Sequence, residues 1–104
     1  MATFMVYALD KPDREKARLT ARDAHRARLR EHDHPIRVII GGPLLDGDGG
    51  MIGTMLVVEA ESKDLVSRPV AQDPYVCADV YASVAIHPFN WGLGNPSLKG
   101  ASHG

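Results

Sequence analysis

The pentapeptide Asp46-Gly-Asp-Gly-Gly50 is the strongest turn signal in the sequence, and it lies between two runs of β-prone residues. The first run is Ile36 to Ile40, closed by Gly41-Gly42-Pro43 and continued raggedly by Leu44 and Leu45; the second is Thr54 to Val58. Two β runs across an Asp/Gly loop are typical of an antiparallel hairpin. We therefore expect a sheet built around this central hairpin.

Further strands and helices flank the hairpin in a symmetric order. Before it, Phe4 to Leu9 predicts a strand, and residues 13 to about 32 are strong helix formers. After it, Ser62 can cap a second helix, which Pro69 makes short, kinked or restarted, and residues 80–86 predict a last strand. The order βαββαβ predicts an α+β, ferredoxin-like fold, with a four-stranded antiparallel sheet and two helices on one face.

Helices on one face leave the other face of such a sheet uncovered. Val6, Ile40 and Val57 have apolar neighbours, so they cannot all lie on the helix-covered side. We expect a second copy of the chain to cover this face, which gives a homodimer packed sheet to sheet. The length of 104 residues predicts one domain, which we place at 1–91, with an extension at 92–104 that forms a lid or a mobile tail.

The charge balance and the cysteine content narrow the possible partners. With 12 basic and 13 acidic residues the net charge is -1, which predicts no nucleic-acid partner. No apolar segment approaches the roughly 20 residues that span a bilayer, so no membrane partner is expected either. A single cysteine, Cys77, argues against a secreted disulfide scaffold and is expected to be a small core residue. A cytoplasmic protein is predicted.

His25 and Asp73 are the residues best suited to proton chemistry. His25 lies in the first helix where apolar side chains are expected, and Asp73 precedes a proline where the second helical stretch ends. An imidazole takes and gives protons near neutral pH when a carboxylate fixes its tautomer. Both residues also fit structural roles, namely a buried histidine bound to a backbone carbonyl and an aspartate that starts a turn. Spacing alone leaves both interpretations open.

Four further side chains are candidates for contacting a substrate. Arg22 and Arg26 flank His25 by one helical turn or less and suit a substrate oxyanion, although each also fits a solvated helix face. Tyr75 either donates its hydroxyl to a substrate or packs with that hydroxyl at the rim. Trp91 either forms an aromatic lid or anchors the end of the chain.

Signatures of metals and cofactors are weak in this sequence. His32-Asp33-His34 points its two rings apart on a helix, and no third ligand follows at a recognised spacing. The loop at 46–50 lacks the later ligands of an EF-hand, and no helix follows its glycines as a dinucleotide site requires. We therefore expect no metal and no cofactor.

Five short motifs occur in order along nearly the whole chain. They are Tyr7-Ala8-Leu9-Asp10-Lys11, Arg22-x-x-His25-x-x-x-Leu29, Gly41-Gly42-Pro43, Asp73-Pro74-Tyr75 and Ile86-x-Pro88-Phe89. This set is similar to the pattern of the YCII-related family. The resemblance implies a dimeric α+β barrel with a histidine and an aspartate in one pocket, which map to His25 and Asp73. Two stretches depart from the pattern, Ser67-Arg68-Pro69 and the extension at 90–96.

The resemblance also implies a reaction. The best-defined activity of the family is dehydrochlorination of a chlorinated trihydroxybenzene, and the related muconolactone isomerases shift protons on small lactones. We therefore expect a cofactor-free lyase that converts 5-chlorohydroxyhydroquinone to hydroxybenzoquinone. Its predicted catalytic residues are His25 and Asp73, and its predicted contacts to the aromatic substrate are Arg22, Arg26, Tyr75, Gly42, Pro43 and Trp91. The alternatives are a muconolactone-isomerase-like proton shuttle, a non-catalytic dimeric binding module for small aromatic metabolites, and a heme-binding barrel.

Overall fold

The computed structural model describes residues 2–31 and 35–94. Its elements are β1 (Ala2–Asp10), α1 (Glu15–Leu29), β2 (Arg37–Leu45), β3 (Met51–Ala60), α2 (Asp64–Ala71), α3 (Pro74–Cys77) and β4 (Tyr81–Pro88). The α+β, ferredoxin-like order predicted from the sequence is confirmed, with α3 as an additional single turn. His32-Asp33-His34 and most of the predicted extension, 95–104, lie outside the described residues.

The four strands form one antiparallel sheet in the order β2-β3-β1-β4. β1 is central and pairs with β3 from Ala2↔Ala60 to Leu9↔Gly53. At Gly53 the sheet leaves no space for a side chain, because a Cβ there would meet the backbone carbonyl of Ala8. The glycine therefore permits the close approach of the two central strands.

The hairpin between β2 and β3 is longer than the sequence predicted. We expected Gly41-Gly42-Pro43 to close the first strand, but β2 runs through them to Leu45, and Pro43 pairs with Thr54. Proline is tolerated because β2 is an edge strand, so the missing N–H removes no bond from the centre of the sheet. A register shift between Val38 and Ile40 marks a bulge in this edge.

The core lies between the sheet and the helices. Alternate residues of the central strands, such as Val6 on β1 and Val58 on β3, pack there against Val66 of α2. The intervening residues point to the opposite face, where Ile40 pairs with Val57. Ile40 is 42% exposed, so this face presents apolar side chains without cover from the helices of the chain.

Helix α1 is shorter than the predicted 13–32, and its buried face is more polar than expected. Arg18 and His25 are its buried residues, whereas Leu19 is 47% exposed. Polar side chains therefore lie on the buried side of this helix. Their partners, described below, explain why that burial is tolerated.

The second helical stretch divides at Asp73. Helix α2 is eight residues long and accommodates Pro69, and a new turn, α3, begins at Asp73, whose side chain accepts a hydrogen bond from the Tyr75 backbone N–H. Cys77, expected in the core, is exposed, because α3 is a single turn at the surface. Within residues 2–31 and 35–94, no helix has the length and apolar character needed to cross a membrane.

Candidate active site

His25 and Asp73 form a buried pair although 48 residues separate them in the chain. The His25 Nδ1 atom lies 2.8 Å from Asp73 Oδ1 and 2.7 Å from Oδ2. Their side chains are 9% and 8% exposed, so little water competes for this hydrogen bond. Helix α1 supplies the imidazole, and the cap of α3 supplies the carboxylate.

The carboxylate determines which imidazole nitrogen is available for chemistry. An ionised Asp73 can only accept hydrogen bonds, so the hydrogen must be on His25 Nδ1. The Nε2 atom then carries the free lone pair, and it has no hydrogen-bond partner among the described residues. Asp73 Oδ1 is held in turn by the backbone N–H of Tyr75 at 2.9 Å. The pair can therefore accept a proton at Nε2 and stabilise the resulting imidazolium.

Tyr75 lies between His25 and Arg18. Its ring stacks on the imidazole with centroids 4.0 Å apart, and the Arg18 guanidinium lies 4.5 Å from the ring centroid on a cation–π contact. The residue is only 2% exposed. Burial raises the pKa of the Tyr75 phenol, although the positive charge of Arg18 opposes the shift, so the phenol is neutral at physiological pH.

Arg18 is the centre of a second buried network. Its guanidinium donates to both carboxylate oxygens of Asp10, at 2.8 and 3.0 Å, and to Thr54 Oγ1 at 2.6 Å. The hydroxyl of Tyr81 donates to the same Thr54 oxygen at 2.9 Å. Burial opposes the charge on Arg18, but the hydrogen bonds and charge of Asp10 outweigh it and raise the pKa of Arg18. The arginine is thus a fixed cation next to Tyr75.

A cavity of about 390 Å³ opens in front of these groups. Its walls come from α1, β2, β3 and α3, and its lining residues are Arg18, Arg22, His25, Arg26, Leu29, Arg30, Val38, Gly41, Gly42, Pro43, Met51, Thr54, Leu56 and Tyr75. A ligand in this cavity would contact His25 directly. Asp73 does not line the cavity. It binds the imidazole, as a carboxylate that orients a histidine does.

Most of the predicted site residues meet in this cavity. Arg22, Arg26, Gly42, Pro43 and Tyr75 all line it together with His25. Trp91 is different, because it packs edge-to-face on Phe89 at 5.0 Å and is not among the lining residues. Its contact with a substrate stays a prediction.

The network around Arg18 was not predicted from the sequence. An arginine on a helix reads as a surface residue, and Asp10 as part of the turn after the first strand. One signal was present, since Arg18 precedes Arg22 by four residues and so lies on the same side of α1 as the motif containing His25. Among the described residues, no group of three or more His, Cys, Asp or Glu side chains is placed to hold a metal ion.

Comparison with known proteins identifies the family. The model of the YCII-related domain matches residues 2–90. The chain is 36% identical over 92 residues to protein YciI of Escherichia coli O6:H1, a match that covers 83% of this chain and 94% of that protein. The chain belongs to the YCII-related family. The resemblance seen in the sequence motifs is thereby confirmed.

Solved structures of two other proteins share the fold. TftG, the 5-chloro-2-hydroxyhydroquinone dehydrochlorinase of Burkholderia phenoliruptrix, solved in complex with 2,5-dihydroxybenzoquinone, aligns with a TM-score of 0.75 at 30% identity. The alignment covers 85% of this chain and 93% of TftG. The C-terminal domain of MgtC from Mycobacterium tuberculosis aligns with a TM-score of 0.56 at 16% identity over 86% of this chain and 88% of that domain, which shows the fold alone.

Proposed function

We propose that this protein is a cofactor-free enzyme that transfers protons on a small oxygenated ring compound, with His25 and Asp73 as its catalytic pair. The observation that carries the proposal is the buried contact of 2.7 Å between His25 Nδ1 and Asp73, beside a cavity that His25 lines. The likeness to TftG supports a specific reaction, the dehydrochlorination of 5-chlorohydroxyhydroquinone to hydroxybenzoquinone.

The proposed reaction is an elimination that needs proton transfer only. His25 Nε2 takes the proton of one ring hydroxyl, and the imidazolium gives this proton to the ring carbon that bears chlorine, which makes that carbon tetrahedral. A second hydroxyl then loses its proton to the neutral Nε2, the carbon–chlorine bond breaks, and chloride leaves with the bonding electron pair as the quinone forms. The imidazolium finally releases that proton to water. The net change is loss of HCl, so no electron acceptor is consumed. Asp73 stabilises the imidazolium while His25 holds the proton.

The surroundings of His25 fit the charge that this reaction develops. Negative charge grows on the ring oxygens and on the departing chloride. Arg22 and Arg26 line the same cavity, and Arg18 is held as a cation by Asp10. Fixed positive charges placed where negative charge develops are among the largest contributions to catalysis.

The test is anaerobic turnover of 5-chlorohydroxyhydroquinone, followed by chloride release. Oxygen is excluded because trihydroxybenzenes oxidise in air. His25→Ala should lower the rate by about 10²- to 10⁴-fold, the usual share of general acid–base catalysis. His87→Ala is the matched control, because it removes an exposed imidazole that does not line the cavity. Since His87 pairs with Met5 on the open face of the sheet, ultracentrifugation must first show that this variant has the same oligomeric state as the native protein. Absence of chloride release from the native protein would contradict the dehydrochlorination.

Two alternative functions predict different results for the native protein and for His25→Ala. A muconolactone-isomerase-like proton shuttle would release no chloride but would exchange protons on a lactone, and His25→Ala would abolish that exchange. A non-catalytic binding module would bind small aromatic metabolites equally well with and without His25. The oriented His25–Asp73 pair favours catalysis over binding alone, because binding does not require a polarised imidazole.

We further propose that the open face of the sheet pairs two copies of the chain. Tyr7 is 39% exposed and Ile40 42% exposed on this face, which is rich in apolar side chains. Analytical ultracentrifugation should find a dimer that Ile40→Glu dissociates. Leu19→Glu, which charges an exposed leucine on α1, should leave the dimer intact. A monomeric native protein at micromolar concentration would contradict this assembly.

A further inference from the structure

Four arginines, three on α1 and one at its C-cap, line the cavity at a strict spacing of four residues. They are Arg18, Arg22, Arg26 and Arg30. Residues four apart lie on neighbouring turns of one side of a helix, about 6 Å apart along its axis. The four residues therefore follow one another along the helix axis, all four line the cavity, and the first of them, Arg18, contacts the ring of Tyr75. We call these four residues the arginine row.

Among the described residues, Arg18 is the only member of the arginine row that forms an ion pair with a carboxylate. Asp10 neutralises Arg18, and Asp73 is committed to His25. No aspartate or glutamate of residues 2–31 and 35–94 lines the cavity. Within the same ranges, Arg22, Arg26 and Arg30 have no ion pair with a carboxylate. The described part of the chain therefore leaves three positive charges of the cavity without a carboxylate partner, and like charges this close on a helix repel one another.

Arg22 adds an observation that a solvated helix face does not explain. Its Nε atom is buried and has no hydrogen-bond partner among the described residues. Buried polar groups are almost always hydrogen-bonded, and an unpaired one is destabilising. The Nε atom of Arg28, on another side of α1, is also buried without a partner among the described residues, but Arg28 donates from Nη2 to Gln72 Oε1 at 3.2 Å and does not line the cavity. Arg22 is thus the residue of the row that combines a buried, unpaired donor with a place in the cavity wall.

We propose that the cavity selects a small planar compound with two anionic groups, one bound by Arg22 beside His25 and the other by Arg26 and Arg30. This inference rests on the proposed proton-transfer function, because it takes the ligand to be the substrate of the His25–Asp73 pair, and it competes with the chlorohydroxyhydroquinone named above as the specific substrate. The inference goes beyond that function by naming the charge of the ligand. A trihydroxybenzene is largely neutral at pH 7, whereas a row of three unpaired arginines suits a ring that bears carboxylates or ionised enols.

The first test compares three ligands of nearly equal shape and different charge by isothermal titration calorimetry. Isophthalate carries two negative charges, 3-carbamoylbenzoate one, and isophthalamide none. Hydrogen bonds to charged groups contribute about 1.5–3 kcal/mol each, so each lost charge should weaken binding roughly 10- to 100-fold. Equal affinity for all three ligands would overturn the inference. Inorganic phosphate that competes as well as isophthalate would also overturn it, because it would indicate a general anion site.

The second test assigns the charges to the row. Arg26→Gln and Arg30→Gln should each weaken isophthalate binding about tenfold and leave binding of isophthalamide unchanged. Both residues are exposed, so neither substitution should impair folding. Arg68→Gln removes an exposed arginine of α2 that does not line the cavity and should have no effect. Unchanged isophthalate binding in both row variants would refute the assignment.

The two proposals can fail separately. His25→Ala keeps the arginine row, so it should retain binding that increases with ligand charge while losing turnover. Charge-ranked binding without turnover of any ring compound by native protein would refute the proton-transfer enzyme and support the charge of the ligand. Turnover of a neutral hydroquinone together with binding that ignores ligand charge would overturn the inference alone.

Discussion

Removing the partner of Arg18 should be among the most destabilising single changes in this protein. The Arg18 and Asp10 side chains are only 2% and 5% exposed, and two hydrogen bonds of 2.8 and 3.0 Å join them. Asp10→Asn keeps the shape and one acceptor oxygen but leaves a buried cation without its counter-charge. Breaking such a buried pair costs about 3–5 kcal/mol, and the retained oxygen places this variant near 3 kcal/mol.

Urea unfolding at fixed protein concentration measures this cost. The matched control is Glu59→Gln, which breaks an ion pair with Arg37 whose arginine side chain is 66% exposed. An exposed pair contributes about 0–1 kcal/mol. With a dependence of about 1–3 kcal/mol per molar urea, Asp10→Asn should lower the midpoint by about 1–3 M, and the control by far less.

A double substitution separates the pair interaction from general damage to the core. In Asp10→Asn/Arg18→Met both charges are absent, so no buried cation is left unpaired. The double variant should lose less stability than the two single variants together, with a coupling of about 2 kcal/mol. Additive losses, or a cost of Asp10→Asn no greater than that of Glu59→Gln, would refute the view that this pair is buried and coupled.

Two further substitutions test backbone packing and electrostatics at other positions. Gly53→Ala should lower the free energy of unfolding by about 1–3 kcal/mol, because its Cβ would meet the Ala8 carbonyl, whereas Gly47→Ala, in open space, should change it little in the same urea assay. The hydrogen bond and charge of Lys11 lower the pKa of the Asp79 carboxyl, so its contribution to stability is present above the unfolded pKa of about 3.9 and is lost as the pH falls. Asp79→Asn should therefore reduce the loss of stability on acidification, and an unchanged acid profile would contradict that role.

The sequence predicted the architecture because each element carries its own local signal. Hydrophobic runs, the Asp/Gly turn and the helix formers of α1 depend on neighbouring residues only. The boundaries were less certain for the same reason. We predicted that the strand closes at Pro43, because nothing in the sequence shows that β2 lies at an edge of the sheet, where a missing N–H is tolerated.

The candidate site was predictable only in part. Spacing alone left His25 and Asp73 open to structural roles, and the family resemblance was needed to place them in one pocket. Arg18 was missed because its burial depends on Asp10, Thr54 and the ring of Tyr75, which only the folded sheet brings to it. A charged residue on a helix is exposed by default, and that default fails where another element supplies its partner.

The spacing of Arg18 and His25 along α1 explains how the Arg18 network and the His25–Asp73 pair both contact the ring of Tyr75. Arg18 and His25 are seven residues, or about two helical turns and 10 Å, apart on the same side of the helix. This distance accommodates one aromatic ring in contact with each, and Tyr75 occupies that position. The backbone N–H of Tyr75 also fixes Asp73 against His25. The short segment from Asp73 to Tyr75 therefore orients the candidate base and places an aromatic ring between it and Arg18, so its geometry links the proton-transfer pair to the beginning of the arginine row.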